Sequence, residues 1–255
     1  MRRIRSGMGL GDSLYLQAVA RHFVKRGESL EVCSAWPDVF RPLGDKVRIA
    51  PFSRERIQIL AHYSLRKMRT DSNQFEDCCI QAGIKEPVEF RLDWQPLNHR
   101  LIAQIRSPWK PILCVQLPRN PMGRTDGFGR ELLPDCTVIQ TLIDKLKSRY
   151  YVIQIGAGDP LHQFTGIGLN LANKTSVSDL IDVAYASDLF LGYCSFMVPL
   201  AESLNKPAIF VWSRKGLKSR QPFISRITPQ KILHRTSSRW VVDDQSTDEV
   251  LNGFL

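Results

Sequence analysis

Long apolar runs are missing from these 255 residues: none reaches the roughly 18–20 positions that a bilayer-spanning helix needs. The basic start MRRIRSG lacks the apolar stretch that follows the positive end of a secretory signal, so a soluble, intracellular protein is expected. Cysteine is present six times (Cys33, Cys78, Cys79, Cys114, Cys136, Cys194) but never as a C-x-x-C pair. That spacing argues against a zinc site or a disulfide framework, and reduced thiols are expected. Low-complexity segments and short repeats are absent as well. Acidic residues are missing from Ser203 to Trp240, where nine Lys and Arg stand, and the whole chain carries a formal charge of +10. A surface of one sign favours polyanionic partners: nucleic acid, a phosphorylated glycan, or the anionic face of a membrane touched peripherally.

What is there is a regular alternation. With 43% hydrophobic residues the chain can build a full core, and its length suits two domains of roughly 100–150 residues. Apolar runs alternate with helix-like segments, the pattern of βαβ units and parallel sheets. IRSGMGLGD followed by SLYLQAVARHFVKRG reads as strand, loop and helix, and LEVCSA as a second strand. RERIQILAHYSLRKMR, DSNQFEDCCIQAGI and HRLIAQIRS look helical, and VEFRLDW looks extended. A boundary is expected at RSPWKP, dividing residues 1–108 from 109–255. Beyond it ILCVQL, YYVIQIG, LFLGY and AIFVW read as strands, separated by helices over TVIQTLIDKLKSR, VSDLIDVAYAS and MVPLAESLN. Uninterrupted apolar strands covered by amphipathic helices imply a sheet buried on both faces, with ligands beyond the carboxyl ends of the strands.

Four loops could carry chemistry. Gly7, Gly9 and Gly11 form G-x-G-x-G rather than G-x-G-x-x-G, and no acidic residue closes a second strand about 20 residues later, so dinucleotide binding is weakly supported. Asp12 follows them at a helix start, where it could cap the first turn or stand at the mouth of a cleft. VQLPRNPMGRTDGFGR offers Arg119 and Arg124 after a strand, and IGAGD offers a bend at Gly156. In GYCSFMVPLAE, Ser195 could cap a helix beginning at Phe196 and leave early amides free for a phosphate. NKTSVSDL reads as a structural capping box from Ser176 to Asp179, and His162 as incidental.

SGMGLGDSLYLQAVARHF, together with VIQIGAGDP…NLANKTSVSDLIDVAYASDLFLGYCSFMVPLAESLNKPAIFVWSRKG, resembles the family 9 glycosyltransferases, the ADP-heptose:lipopolysaccharide heptosyltransferase group. The likeness covers roughly residues 5–23 and 111–216. It implies an α/β chain in the GT-B arrangement, two Rossmann-like domains facing across a cleft, with a reduced acceptor-side first domain and the donor in the second. It implies an inverting, metal-independent transfer from a nucleotide sugar, no other cofactor, and a cytoplasmic location in a bacterial or virus-infected bacterial cell. Asp12 then corresponds to the general base, and Gly9 and Gly11 admit the acceptor. Arg119, Arg124, Gly156, Cys194, Ser195, Phe196 and Glu202 would hold the donor, and Lys215, Lys218 and Arg220 an anionic acceptor. Cys194-Ser195-Phe196 and Pro199 stand where relatives commonly have Asp-Ser/Thr-Gly and a His, which leaves the donor sugar open. A short, basic first half also suits a viral glycosyltransferase acting on hydroxymethylated DNA bases, with Trp212, Phe223 and Trp240 as stacking groups. A non-enzymatic nucleic-acid-binding module on the same fold is the third reading.

Overall fold

The computed structural model describes residues 1–53, 59–64, 72–106, 108–119, 129–158, 163–233 and 237–252. Two parallel sheets organise them. The first has the order β3-β2-β1-β4 and is built from β1 (Arg2–Arg5), β2 (Leu30–Cys33), β3 (Val47–Ala50) and β4 (Ile59–Leu60). Its first crossover is helix α1 (Leu10–Lys25). Helix α2 (Gln74–Gln81) follows, capped by Asn73, whose side chain accepts from the Glu76 amide while Glu76 accepts from the Asn73 amide. Helix α3 (His99–Arg106) then leads to the second sheet.

The second sheet has the order β10-β9-β8-β5-β6-β7. Its strands are β5 (Ile112–Gln116), β6 (Tyr151–Ile155), β7 (Leu169–Asn170), β8 (Leu189–Tyr193), β9 (Ala208–Trp212) and β10 (Ser238–Val242). The covering helices are α4 (Cys136–Leu146), α5 (Val177–Ala186) and α6 (Met197–Ser203), followed by the short α7 (Arg214–Leu217), α8 (Pro229–Ile232) and α9 (Asp248–Leu251). Every residue of β5, β8 and β9 is buried, as two covered faces require.

The order reverses between β1 and β4 and again between β5 and β8. These are the switch points at which open α/β sheets leave a crevice. The loops after these four strands begin at Ser6, Ala61, Leu117 and Cys194.

An unpaired extended strap, residues 88–98, lies between the two sheets. Phe90, Leu92 and Trp94 are buried and alternate with exposed Glu89, Arg91 and Asp93. The Leu92 amide donates to the Ser203 carbonyl on α6 (2.9 Å), and Gln17 on α1 bonds both the Asp93 carbonyl (2.9 Å) and its amide (3.3 Å). Asp182 on α5 is fully buried and accepts from Trp94 Nε1 (2.8 Å) and from the Leu97 (3.0 Å) and Asn98 (2.7 Å) amides.

Several expectations are corrected. Ile59 and Leu60, expected in a helix, form β4 beside β1; residues 54–58 and 65–69 of that segment lie outside the described residues. A strand not read from the sequence, β10, pairs with AIFVW over five residues. The basic stretch runs through β9, α7 and α8. Trp212 is buried with its Nε1 donating to the Ile227 carbonyl (3.0 Å), so it is not a stacking group. All six cysteines are free thiols, and no helix among the described residues is long and apolar enough to cross a membrane.

Candidate active site

The three glycines do different jobs. A Cβ at Gly7 would stand 2.2 Å from Asp12 Oδ2, and one at Gly9 3.1 Å from the same atom. A Cβ at Gly11 would instead meet Pro199 Cγ at 3.1 Å and Phe196 Cα at 3.5 Å, on the second sheet's side of the groove. Two glycines thus make room for the carboxylate, and the third lets the first turn of α1 touch the start of α6. Trp36 Nε1 donates to the Met8 carbonyl (2.8 Å) and pins the loop.

Asp12 is the third residue of α1 rather than its N-cap, which is Gly9. Its Oδ2 accepts the Gly9 amide (3.0 Å), and Oδ1 lies 3.9 Å from His62 Nδ1. Burial pushes its pKa above the ordinary carboxylate value; the nearby His62 and the hydrogen bonds from Gly9 and Tyr63 oppose that rise. His62 and Tyr63 follow β4, and the β1–β4 register brings them beside the loop after β1. Neither was among the expected site residues.

We predict that Gly7→Ala destabilises the fold by about 1–3 kcal/mol, because the new methyl must displace the carboxylate by more than an ångström. A thermal melting curve checks this; an unchanged midpoint would show that the loop accommodates the methyl without cost.

Two cavities meet at the Gly11–Phe196 contact. The smaller, about 270 Å³, is lined by Asp12, Tyr15, Tyr63, Gln74, Leu132, Cys194, Pro199, Phe223, Ile227 and Ile232. The larger, about 650 Å³, is lined by Leu10, Trp36, Gln116, Arg119, Gly156, Ala157, Asn173, Thr175, Ser176, Val177, Leu180 and Tyr193. Gly9, Gly11, Ser195 and Phe196 line both. A third depression, about 730 Å³ along edge strand β10 and including Trp240, shares no residue with either.

The expected donor residues fall largely in one place. Arg119, Gly156, Ser195 and Phe196 line the larger cavity, and Cys194 the smaller. Gly156 has φ +98°, a conformation that glycine adopts without strain, and Asn173 clasps the loop by bonding Gly158 through both its amide and its carbonyl (3.1 Å each). The Tyr193 hydroxyl ties the Arg119 main chain, accepting from its amide and donating to its carbonyl (2.7 Å each). Arg124 and His162 lie outside the described residues.

Ser195 is not an N-cap: α6 begins at Met197, and the Ser195 hydroxyl donates to Gln116 Oε1 (2.6 Å) while accepting the Met197 amide (3.2 Å). Glu202 lines neither cavity. It is fully buried, accepts from the Ser238 hydroxyl, and belongs to the interior. The Ser176–Asp179 capping box is present, yet Thr175 and Ser176 also line the larger cavity.

Lys215, Lys218 and Arg220 are exposed and line neither cavity. Lys215 lies near enough to lower the pKa of Asp135, and Lys218 that of Asp244, so acidic neighbours partly offset both. From the same stretch it is Phe223, Ile227 and Ile232 that reach the groove.

The arrangement defines a class. Two parallel sheets whose switch points face each other across a groove make up the GT-B-like fold, which solved glycosyltransferase structures share. Among solved structures similar to it are E. coli heptosyltransferase WaaC with ADP (11% identity, TM-score 0.65, 100% of this chain and 98% of that one) and E. coli ADP-heptose lipopolysaccharide heptosyltransferase II (14%, 0.62, 94% and 90%). A glycosyl transferase of family 9 from Veillonella parvula is also similar (9%, 0.62, 99% and 89%). The likeness spans the first half as well, where sequence resemblance is confined to residues 5–23. No protein-family model matches the sequence, and no curated protein does.

Proposed function

We propose that this protein is a glycosyltransferase that moves a sugar from a nucleoside diphosphate to an acceptor hydroxyl, with inversion and without a metal, Asp12 serving as general base. One observation carries the reading: Asp12 on one lobe and the cavity holding Arg119 on the other open onto the same contact, Gly11 against Phe196, with Gly9 and Ser195 lining both cavities there. A donor in the larger cavity would present its anomeric carbon at that contact, within reach of a hydroxyl in the smaller one. The acceptor hydroxyl must lose its proton as it attacks, and a partly desolvated carboxylate of raised pKa suits that task. The departing diphosphate gains charge, which Arg119 and the main-chain amides beyond β5 and β8 would meet. ADP-heptose, named with a similar structure, is the first donor to try, and ADP, named with another, is the corresponding departing nucleotide.

The acceptor's reacting end would enter a chamber walled by Tyr63, Phe223, Ile227 and Ile232. An anionic portion would then lie outside it, over the exposed Arg220 and Arg226 of the same stretch. A phosphorylated core glycan and a hydroxymethylated base on DNA both meet this description, the second because aromatic walls suit an extruded base.

Nucleoside diphosphates should raise the melting temperature, since a ligand bound only by the native state stabilises it. Arg119→Ala is expected to weaken their binding by about 10–100-fold, the worth of a hydrogen bond to a charged group. Calorimetry with ADP and its uridine, guanosine and cytidine counterparts checks this. Equal affinity in variant and wild type would move the diphosphate elsewhere; no binding of any of the four, with tight salt-sensitive DNA binding, would favour the non-enzymatic module.

A further inference from the structure

We propose that His62 is a positioning residue for Asp12: seated beyond β4, it holds the carboxylate toward the groove and, when protonated, keeps it ionised. The inference rests on the general-base reading of Asp12 and deepens it.

The geometry is specific. His62 Nδ1 is 3.9 Å from Asp12 Oδ1 and 3.4 Å from Ser6 Oγ, so the ring nitrogen lies between the end of β1 and the first turn of α1. The imidazole packs on Tyr63 with ring centroids 4.6 Å apart. A Cβ on Gly7 would stand 3.1 Å from His62 Cε1 as well as 2.2 Å from Asp12 Oδ2, so that glycine makes the close approach possible from both sides. His62 lines neither cavity and its side chain is about one-third exposed (34%), so it acts through Asp12 rather than on substrate.

The electrostatic environment singles out this histidine. The titratable groups near Asp12 are His62 and Tyr63 beyond β4, Tyr15 on α1, Cys78 on α2 and, through the tyrosines, Cys194 beyond β8 and the carboxylate of Glu202 on α6. Burial pushes both tyrosines and both thiols upward, which leaves them neutral. Among these described neighbours His62 alone can become a cation. Desolvation drives the Asp12 carboxyl toward its protonated form, useless as a base, and an adjacent imidazolium opposes that drift. A hydrogen-bonding neighbour without charge would orient the carboxylate but not hold its proton off.

The test separates charge from orientation. His62→Gln keeps a polar group and removes the charge. Titration of the Asp12 carboxyl carbon by ¹³C NMR, which needs no substrate, should move up by roughly one pH unit in the variant. The acid limb of donor turnover should shift the same way, with ADP affinity unchanged. His62→Asn, with a shorter amide, is the second variant should the first melt early. An Asp12 titration that superimposes on wild type in the folded variant overturns the proposal. Asp12→Asn retaining full transfer would instead remove the general-base reading, and with it the mechanistic use of His62, while leaving the titration result intact.

Discussion

Asp12→Asn is expected to lower transfer by about 10²–10⁴-fold, the usual worth of a positioned general base, while ADP affinity stays within twofold of wild type. Asparagine can still accept the Gly9 amide through its carbonyl oxygen, so the helix start should survive, and the larger cavity does not include Asp12. The same substitution makes a second measurement informative. Burial raises the folded-state pKa of Asp12, so the folded protein holds this proton more tightly than the unfolded chain. Ionising the group therefore costs stability as pH rises through the ordinary carboxylate range toward the raised value, and the cost persists above it. Asp12→Asn should melt no lower than wild type at pH 7 and should lose that advantage at acidic pH. Unchanged turnover would remove Asp12 from the reaction; a lower melting point at pH 7 would mean that its charged contacts outweigh its desolvation.

The other large effect is on stability. Asp182→Ala should destabilise by on the order of 3 kcal/mol, because Trp94 Nε1 and the Leu97 and Asn98 amides would lose one shared acceptor in a fully buried setting. For a chain of this size that is a fall in melting temperature of roughly 6–12 °C. Thermal unfolding checks it, and an unchanged midpoint would show that solvent replaces the carboxylate. Asp182→Asn should fall between, since its single carbonyl oxygen cannot serve all three donors.

Much of this architecture was legible in the residues, and the gaps have physical causes. The apolar strands of the second sheet were readable because burial on both faces leaves an uninterrupted signature. β4 and β7 are two residues long, too short for a period to register, and RERIQILAHYS spaces its apolar residues as a helix would. β3 and β10 lie at sheet edges and carry arginine, so neither reads as a buried strand. Glu202 was misplaced because α6 has no exposed face: all seven of its residues are buried, so helical spacing could not say where the carboxylate points. His62 left no local trace. Only the parallel pairing of β4 with β1, set across more than 50 residues of chain, brings it to Asp12.

The strap between the lobes bears on how substrates enter. Its main chain is bonded at once to α1, to α5 and to α6, so swinging one lobe wholesale away from the other would break several hydrogen bonds together. Opening and closing by a large hinge rotation is therefore unfavourable in this chain. Ligands would then reach the groove through side-chain and loop displacements at its rim, and exchange rates should follow those small motions.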